Sequence, residues 1–486
     1  MKMLSIIIFC LTVFFSYSQE KPNILFIVSE DNGPELGCYG APVITPHLDN
    51  LAKEGVMFRN AYVTQAGCSQ SRASIWTGLF PHQNGQIGLA TWKYRMYKAE
   101  TPNLVRSLKD AGYTTGNIGK IHVNPETAFP FDFKAITKSN FKRENMDQYA
   151  AEAEKFMTAS KKPFFLQINY PDAHAPFLRQ VDGLPERPLN GKDVEALPYM
   201  AVDNEQLKET TANYYNCMMR LDTYIGELLE ALKRSGKYNN TILVYIGDHG
   251  ADILRGKRTS YEGGVKIPMI IWWKGKILEK IQSEELVSTI DLYPTFLDVA
   301  GLVIPEYLPG KSIVPLLKGE PTNWRTYLFT EYHVHSNHNP YPQRTVRDQR
   351  FKLIWNPLAG TENPGYAFTL SHTVKISEEE LFRVASNHVK EAYLRMKIPP
   401  EYELYDLNID PFELVNLAEN EQYADILMEL KKQLRTWQKR TSDALIDTTT
   451  ARVLFERIQK VEIERPRKEV SYFDLMYNKT INWEKK

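Results

Sequence analysis

The stretch NILFIVSED, residues 23–31, is a near-continuous apolar run that closes on two acids. A strand with one face in water alternates apolar and polar residues. An unbroken run belongs to a parallel strand covered on both faces, and its carboxyl end then delivers Glu30 and Asp31 to the edge where open α/β sheets bind ligands. Four other runs have the same character: TTGNIGK (114–120), PFFLQINY (163–170), TILVYIGDHG (241–250) and IPMIIWW (267–273). Helical periodicity fills the intervals at 48–53, 103–111, 146–160 and 213–233. This alternation predicts an α/β fold, with a mostly parallel central sheet flanked by helices.

Beyond about residue 325 the texture changes. TYLFTEY (326–332), RTVRDQRFKLIWN (344–356) and EYELYDLN (401–408) read as antiparallel strands, and 421–441 as an amphipathic helix. The expected organisation is a main domain over 19–325 and a smaller C-terminal α+β domain with an antiparallel sheet over 326–486, its last stretch a charged, irregular surface wrap. The N-terminus carries Lys2, an apolar run over 4–15 and small residues before Gln19. That is the pattern of a secretory signal over 1–18, which places the mature protein in the periplasm or outside the cell, with no stable membrane insertion.

The 486 residues carry 59 basic and 59 acidic side chains. No net field favours a nucleic-acid partner or a polybasic membrane anchor, so an anionic ligand must be held by a local cluster. Past the signal only Cys38, Cys68 and Cys217 remain, too few for a disulfide scaffold. A Cys38–Cys217 bridge is one reading and buried free thiols the other.

Acid, base and histidine clusters recur at the strand ends: Glu30-Asp31, Lys120 with His122, Asp172 with His174, and Asp248-His249. A single Asp-Gly or Asp-Asn pair usually just caps a loop. Carboxylates of Glu30, Asp31 and Asp248 with the His249 imidazole form an oxygen-rich set suited to a hard divalent cation such as Ca²⁺. Arg72, Lys120, His122, His174 and Lys257 would add a positive pocket able to take a tetrahedral oxyanion ester and the charge growing on its leaving group. Cys68 opens an apolar helix pattern with Arg72 four residues on, inside AGCSQSRASIWTGLFPHQNG (66–85).

CSQSRASIWTG (68–78) resembles the signature of the formylglycine-dependent sulfatases, Cys-x-Pro-Ser-Arg followed by Thr-Gly. GKIHV (119–123), GDHG (247–250), GKRTSYEGG (256–264), STIDLYPTFLDVAG (288–301) and ELYDLNIDPFELVNLA (403–418) resemble further segments of that family, so the likeness spans nearly the whole mature chain. CSQSRAS, PHQNG, GKIHVNPETAFPFDF and YPQRTV look closest to the N-sulfoglucosamine sulfohydrolase branch, which includes bacterial enzymes acting on sulfated polysaccharides.

The resemblance implies that Cys68 is converted to formylglycine (3-oxoalanine) by a formylglycine-generating maturation enzyme, and that its hydrate attacks sulfur. Glu30, Asp31, Asp248, His249 and the modified Cys68 would hold one Ca²⁺. Arg72 and Lys120 would orient hydrate and sulfate, His122 would take a proton, and Lys257 with His174 would assist the leaving oxygen. Two positions depart from the pattern: Glu30 replaces an aspartate, and Gln70 replaces proline or alanine. For substrate binding, His335 and Arg344 lie in segments the family uses to frame the sugar, with Arg344 placed to meet a uronate carboxylate. His82, Asn84, His333, His338 and Tyr341 share those segments, and Trp92, Trp272 and Trp273 read as core. The expected substrate is an O-sulfated polysaccharide such as ulvan or carrageenan. The alternatives are a heparin-type glucosamine N-sulfate and, in another class, a phosphoester, whose hydrolases tend to use Ser or Thr and two metals. A glycan-binding protein with an unmodified Cys68 is a third class.

Overall fold

The computed structural model describes residues 21–336, 339–464 and 469–477. The secretory-signal reading of 1–18 and His338 lie outside the described residues.

Eight strands form the main sheet: β1 (Asn23–Ser29), β2 (Val56–Tyr62), β3 (Thr114–Ile118), β4 (Phe133–Ala135), β5 (Phe164–Tyr170), β6 (Thr241–Gly247), β7 (Lys266–Trp272) and β8 (Ile281–Ser288). Their order is β4-β3-β5-β1-β6-β7-β2-β8. β7 alone runs against the others, pairing antiparallel with both β6 and β2. The apolar run 267–273 therefore has the composition of its parallel neighbours and the opposite direction, because both faces of a central strand are covered whichever way it runs.

β1 shows why its sequence does not alternate. Leu25 and Ile27 enter one buried layer with the helix Glu205–Arg234, while Ile24, Phe26 and Val28 enter the other with the helices Cys68–Thr77 and Leu292–Val299. The 30-residue helix is capped by Asn204, which accepts from Leu207 N at 2.8 Å, and it ends on Lys233 and Arg234, which complement its dipole.

Register decides where the chemistry goes. Ser29 at the end of β1 pairs with Tyr170 of β5 and Gly247 of β6, so the residues after all three strands emerge at one level.

The smaller sheet, β12-β11-β10-β9, is antiparallel and comprises β9 (Leu328–Tyr332), β10 (Gln343–Arg347), β11 (Phe351–Trp355) and β12 (Tyr402–Asp406). The helix Ala424–Arg440 covers it through Leu430, Leu434 and Trp437. The tail differs from expectation. Instead of an irregular wrap it forms helices Thr448–Glu464 and Tyr472–Tyr477, whose Leu454, Ile458 and Leu475 are buried with Ile87, Tyr94, Val334 and Tyr341. Apolar residues between charged ones at helical spacing are enough to close a small core. Among the described residues no helix is long and apolar enough to cross a membrane.

Candidate active site

Cys68 is the first residue of the helix Cys68–Thr77, entered from extended Gly67 just beyond β2. The free backbone N–H groups of that first turn make its surroundings favourable to an anion. Arg72, one turn on, lies on the same face. Its guanidinium donates to Asp248 Oδ2 at 3.0 Å and to Asn169, and stands 3.9 Å from Glu30. Lys120 donates to Glu30 Oε2 at 2.5 Å. Lys257 donates to both carboxylate oxygens of Asp31 at 2.9 Å.

One ligand atom each from Asp31, Cys68, Asp248 and His249 lies within 4.8 Å of the other three, all buried. The His249 Nδ1–H donates to Gly250 O at 2.9 Å, which turns Nε2 toward Cys68 Sγ at 3.3 Å and Asp31 Oδ1 at 3.4 Å. Glu30, expected in this set, is not part of the four-residue cluster; Lys120 and Arg72 hold its carboxylate instead. Two glycines let the surrounding loops close. A Cβ on Gly247 would fall 1.9 Å from Asn32 O, and one on Gly250 would fall 1.9 Å from Gly263 O. Asp31 and His122 hold φ of 53° and 60°, left-handed conformations in which Asp and His are among the better-tolerated side chains.

Electrostatics separate Cys68 from the other thiols. Burial pushes Cys38 and Cys217 up to about 12. Burial acts on Cys68 too, but Lys257, Lys120 and His249 outweigh it and hold the thiol well below its ordinary value. All three cysteines are free. Burial opposes the charge on His249, yet Asp248, Cys68 and Asp31 bring it up to about 9. His174 is likewise raised against burial by Asp31, whereas burial and Lys120 lower His122. Burial takes His335 down to about 3.

His174, Lys257 and His335 line a cleft of about 660 Å³, with Leu89, Trp92 and Phe368 on its walls. Trp92, read as core from sequence, is partly buried and faces this cleft, while Trp272 is buried in one core layer and Trp273 packs, partly buried, against the other. Arg344 is elsewhere: its buried guanidinium is committed to Asp443 at 2.7 and 2.9 Å, which removes it as a uronate contact. His82 and His333 bind Glu331, Asn84 donates to Leu79 O, and the Tyr341 hydroxyl donates to Leu358 O, so these four serve packing. Asp172 is turned inward onto Arg143 and Arg220, bracing the turn that carries His174. Sequence reasoning missed Asn169, although an asparagine near the end of an apolar strand was a visible signal. It also missed the Asp252–Arg258 pair beside Lys257, which no short motif marks.

Residues 22–302 match the sulfatase family model. The chain belongs to the sulfatase family. It is thus a sulfuric ester hydrolase, and residues 247–359 also match the family described as N-sulphoglucosamine sulphohydrolase, C-terminal. The sulfatase is 31% identical over 445 residues to an ulvan-active sulfatase of Formosa agariphila, covering 88% of this chain and 82% of that one. It is also 31% identical over 473 residues to human N-sulphoglucosamine sulphohydrolase, covering 87% and 90%. A solved structure from work on glycosaminoglycan metabolism by Bacteroides thetaiotaomicron superposes with a TM-score of 0.69 at 19% identity, over 88% of the sulfatase and 98% of that chain, a likeness of fold.

Proposed function

We propose that this sulfatase hydrolyses sulfate esters on sulfated polysaccharides or their oligosaccharides, with an ulvan- or carrageenan-type O-sulfated glycan as substrate. The observation that carries the reading is the ring of cations around Cys68: Lys257, Lys120, Arg72 and the raised His174 surround one side chain at a helix N-terminus. Neutral sugar chemistry needs no such ring, whereas a sulfate and the oxyanion left by its departure do.

Two carboxylates, one imidazole and the Cys68 side-chain atom make a donor set that fits a hard divalent cation, and Ca²⁺ is the proposed ion. When bound, it would draw the sulfate oxygens and polarise the ester. Cys68, converted by a formylglycine-generating enzyme, would supply the hydroxyl that attacks sulfur. The chain's own residues then divide the work. Arg72 and Lys120 bind and orient the sulfate oxygens. Lys257 and His174, both raised by Asp31 against burial, would give the departing sugar oxygen a proton or a positive charge, and His122, lowered by burial and Lys120, would accept a proton. Glu30 holds Lys120 and Arg72 in place. With the signal over 1–18 removed, the enzyme would act in the periplasm or outside the cell.

One observation favours a second reading, removal of N-linked sulfate from glucosamine: the match of residues 247–359 to the N-sulphoglucosamine sulphohydrolase C-terminal family. Sulfate release measured by ion chromatography from ulvan and carrageenan oligosaccharides and from N-sulfated glucosamine decides between them. O-sulfated glycans alone should yield sulfate, and release from the N-sulfated sugar alone would replace the first reading by the second.

A further inference from the structure

Gln70 stands where the family pattern has proline or alanine, and the chemistry proposed above makes no use of it. Its side chain is fully buried, and Nε2 donates to the carbonyl oxygens of Val334 at 2.5 Å and Ile87 at 3.2 Å. Gln65, in the turn before the helix, donates its own Nε2 to the same two carbonyls at 2.9 and 3.3 Å. Two more bonds complete the junction: Leu89 N to His335 O at 2.8 Å and Ala90 N to Ser69 Oγ at 2.9 Å. The first turn of the Cys68 helix thus grips both loops, 87–92 and 334–336, that carry Leu89, Trp92 and His335 into the cleft. On the far side Ile87 and Val334 are buried against the tail helices, so the wall is held from both directions.

What this junction positions is His335. The residue is 8% exposed and faces the cleft, and apart from the neighbouring Cys68 thiol no polar group of the protein engages either ring nitrogen. Buried polar atoms are nearly always satisfied, so an imidazole kept open toward a cleft is available to a ligand. A neutral imidazole offers one donor and one acceptor, a match for a sugar hydroxyl. Gln70 and His335 both crowd Gly67, where an added Cβ would lie 2.7 Å from Gln70 Oε1 and 3.1 Å from His335 Cδ2.

We infer that Gln70 is a positioning residue for the substrate: by holding the Val334 and Ile87 carbonyls it sets the His335 ring against the sugar that bears the sulfate. The inference rests on the proposed glycan sulfatase activity. Proline or alanine at position 70 has no donor to offer, and Gln65 alone would hold the wall.

The test uses the full chain co-produced with a formylglycine-generating enzyme, as wild type, Gln70→Met, Gln70→Ala, His335→Ala and the Q70M/H335A double variant. Gln70→Met keeps side-chain volume while removing the donors, and Gln70→Ala stands in should it not fold. Cys68 conversion is read by peptide mass. Kinetic constants are read on a sulfated oligosaccharide and on nitrophenyl sulfate, which has no sugar. The expected result is wild-type conversion, a glycan KM raised up to about tenfold with kcat little changed, as for the loss of one or two hydrogen bonds, and near-wild-type kinetics on nitrophenyl sulfate. His335→Ala should raise the glycan KM at least as much, and the double variant should be no worse than His335→Ala. Equal losses on both substrates, additivity in the double variant, or a loss that tracks incomplete conversion would overturn the inference. A wild type that cleaves nitrophenyl sulfate and no glycan would instead contradict the proposed substrate class on which it rests.

Discussion

Arg72 connects the Cys68 helix to three strands at once. Its guanidinium meets Asp248 after β6, Asn169 in β5 and Glu30 after β1, all buried. Arg72→Met takes the guanidinium from buried Asp248 while Lys120 still holds Glu30, so it should lower unfolding free energy by about 3–5 kcal/mol, read by denaturant titration, and reduce sulfate release to background. Asp31 is a second such residue. Burial raises its carboxyl against the pull of Lys257 and His174, an arrangement that a bound cation would relieve. Chelation should therefore lower both Tm and activity, with Ca²⁺ restoring them. Asp31→Asn should show no Ca²⁺-dependent rise in Tm, and an unchanged calcium response would contradict its role as a ligand.

At the scale of elements, the equal register of β1, β5 and β6 turns scattered sequence clusters into one site. Much of that was legible beforehand, because an apolar run that ends in acids or histidines says both that the strand is covered and which end faces the ligand. Two features were not. β7 carries the same apolar composition as its neighbours, and composition does not encode direction. Arg344 and His335 sit in similar-looking segments, and only the position of Asp443, 99 residues beyond Arg344, decides that one is an internal ion pair and the other a cleft residue. The loop joining β9 to β10 also makes stability depend on pH. Burial and Arg344 take His333 down to about 4, although Glu331 opposes them. The folded ring resists protonation while the unfolded one accepts it near pH 6.5, so stability contributed by the neutral ring is present above that value and is lost as pH falls toward 4. Between pH 7 and pH 5 the loss should reach about 2 kcal/mol. His82, raised by Glu331 against burial, has the opposite sign: its contribution is full in acid and is lost as pH rises through its raised value. Comparing His333→Gln with wild type isolates the His333 contribution. The variant should lose less stability on acidification, and an identical slope would contradict the assignment.

Across the whole molecule one wall of the cleft is backed by a segment far from it in sequence. The tail helix Thr448–Glu464 buries Ala451, Leu454 and Ile458 against Ile87 and Val334, the outer side of the wall that Gln70 grips from within. The tail looked irregular in sequence because its apolar residues are sparse and their partners lie some 120 to 370 positions earlier, a distance no local pattern reports. Ile458→Asp places a charge in that small core. It should cost about 3 kcal/mol or more by denaturant titration and raise the KM for a glycan, whereas a wild-type KM would separate the tail from the site. The cations Lys257 and Lys120 and the cluster of Asp31, Asp248 and His249 all gather around one side chain, that of Cys68. The most direct measurement is therefore the mass of the tryptic peptide 60–72 from protein produced in a host with the maturation enzyme, paired with sulfate release by the same sample. The predicted result is the mass of an aldehyde in place of the thiol, with release scaling with the converted fraction. Sulfate release from a sample whose Cys68 is wholly unmodified would contradict the account.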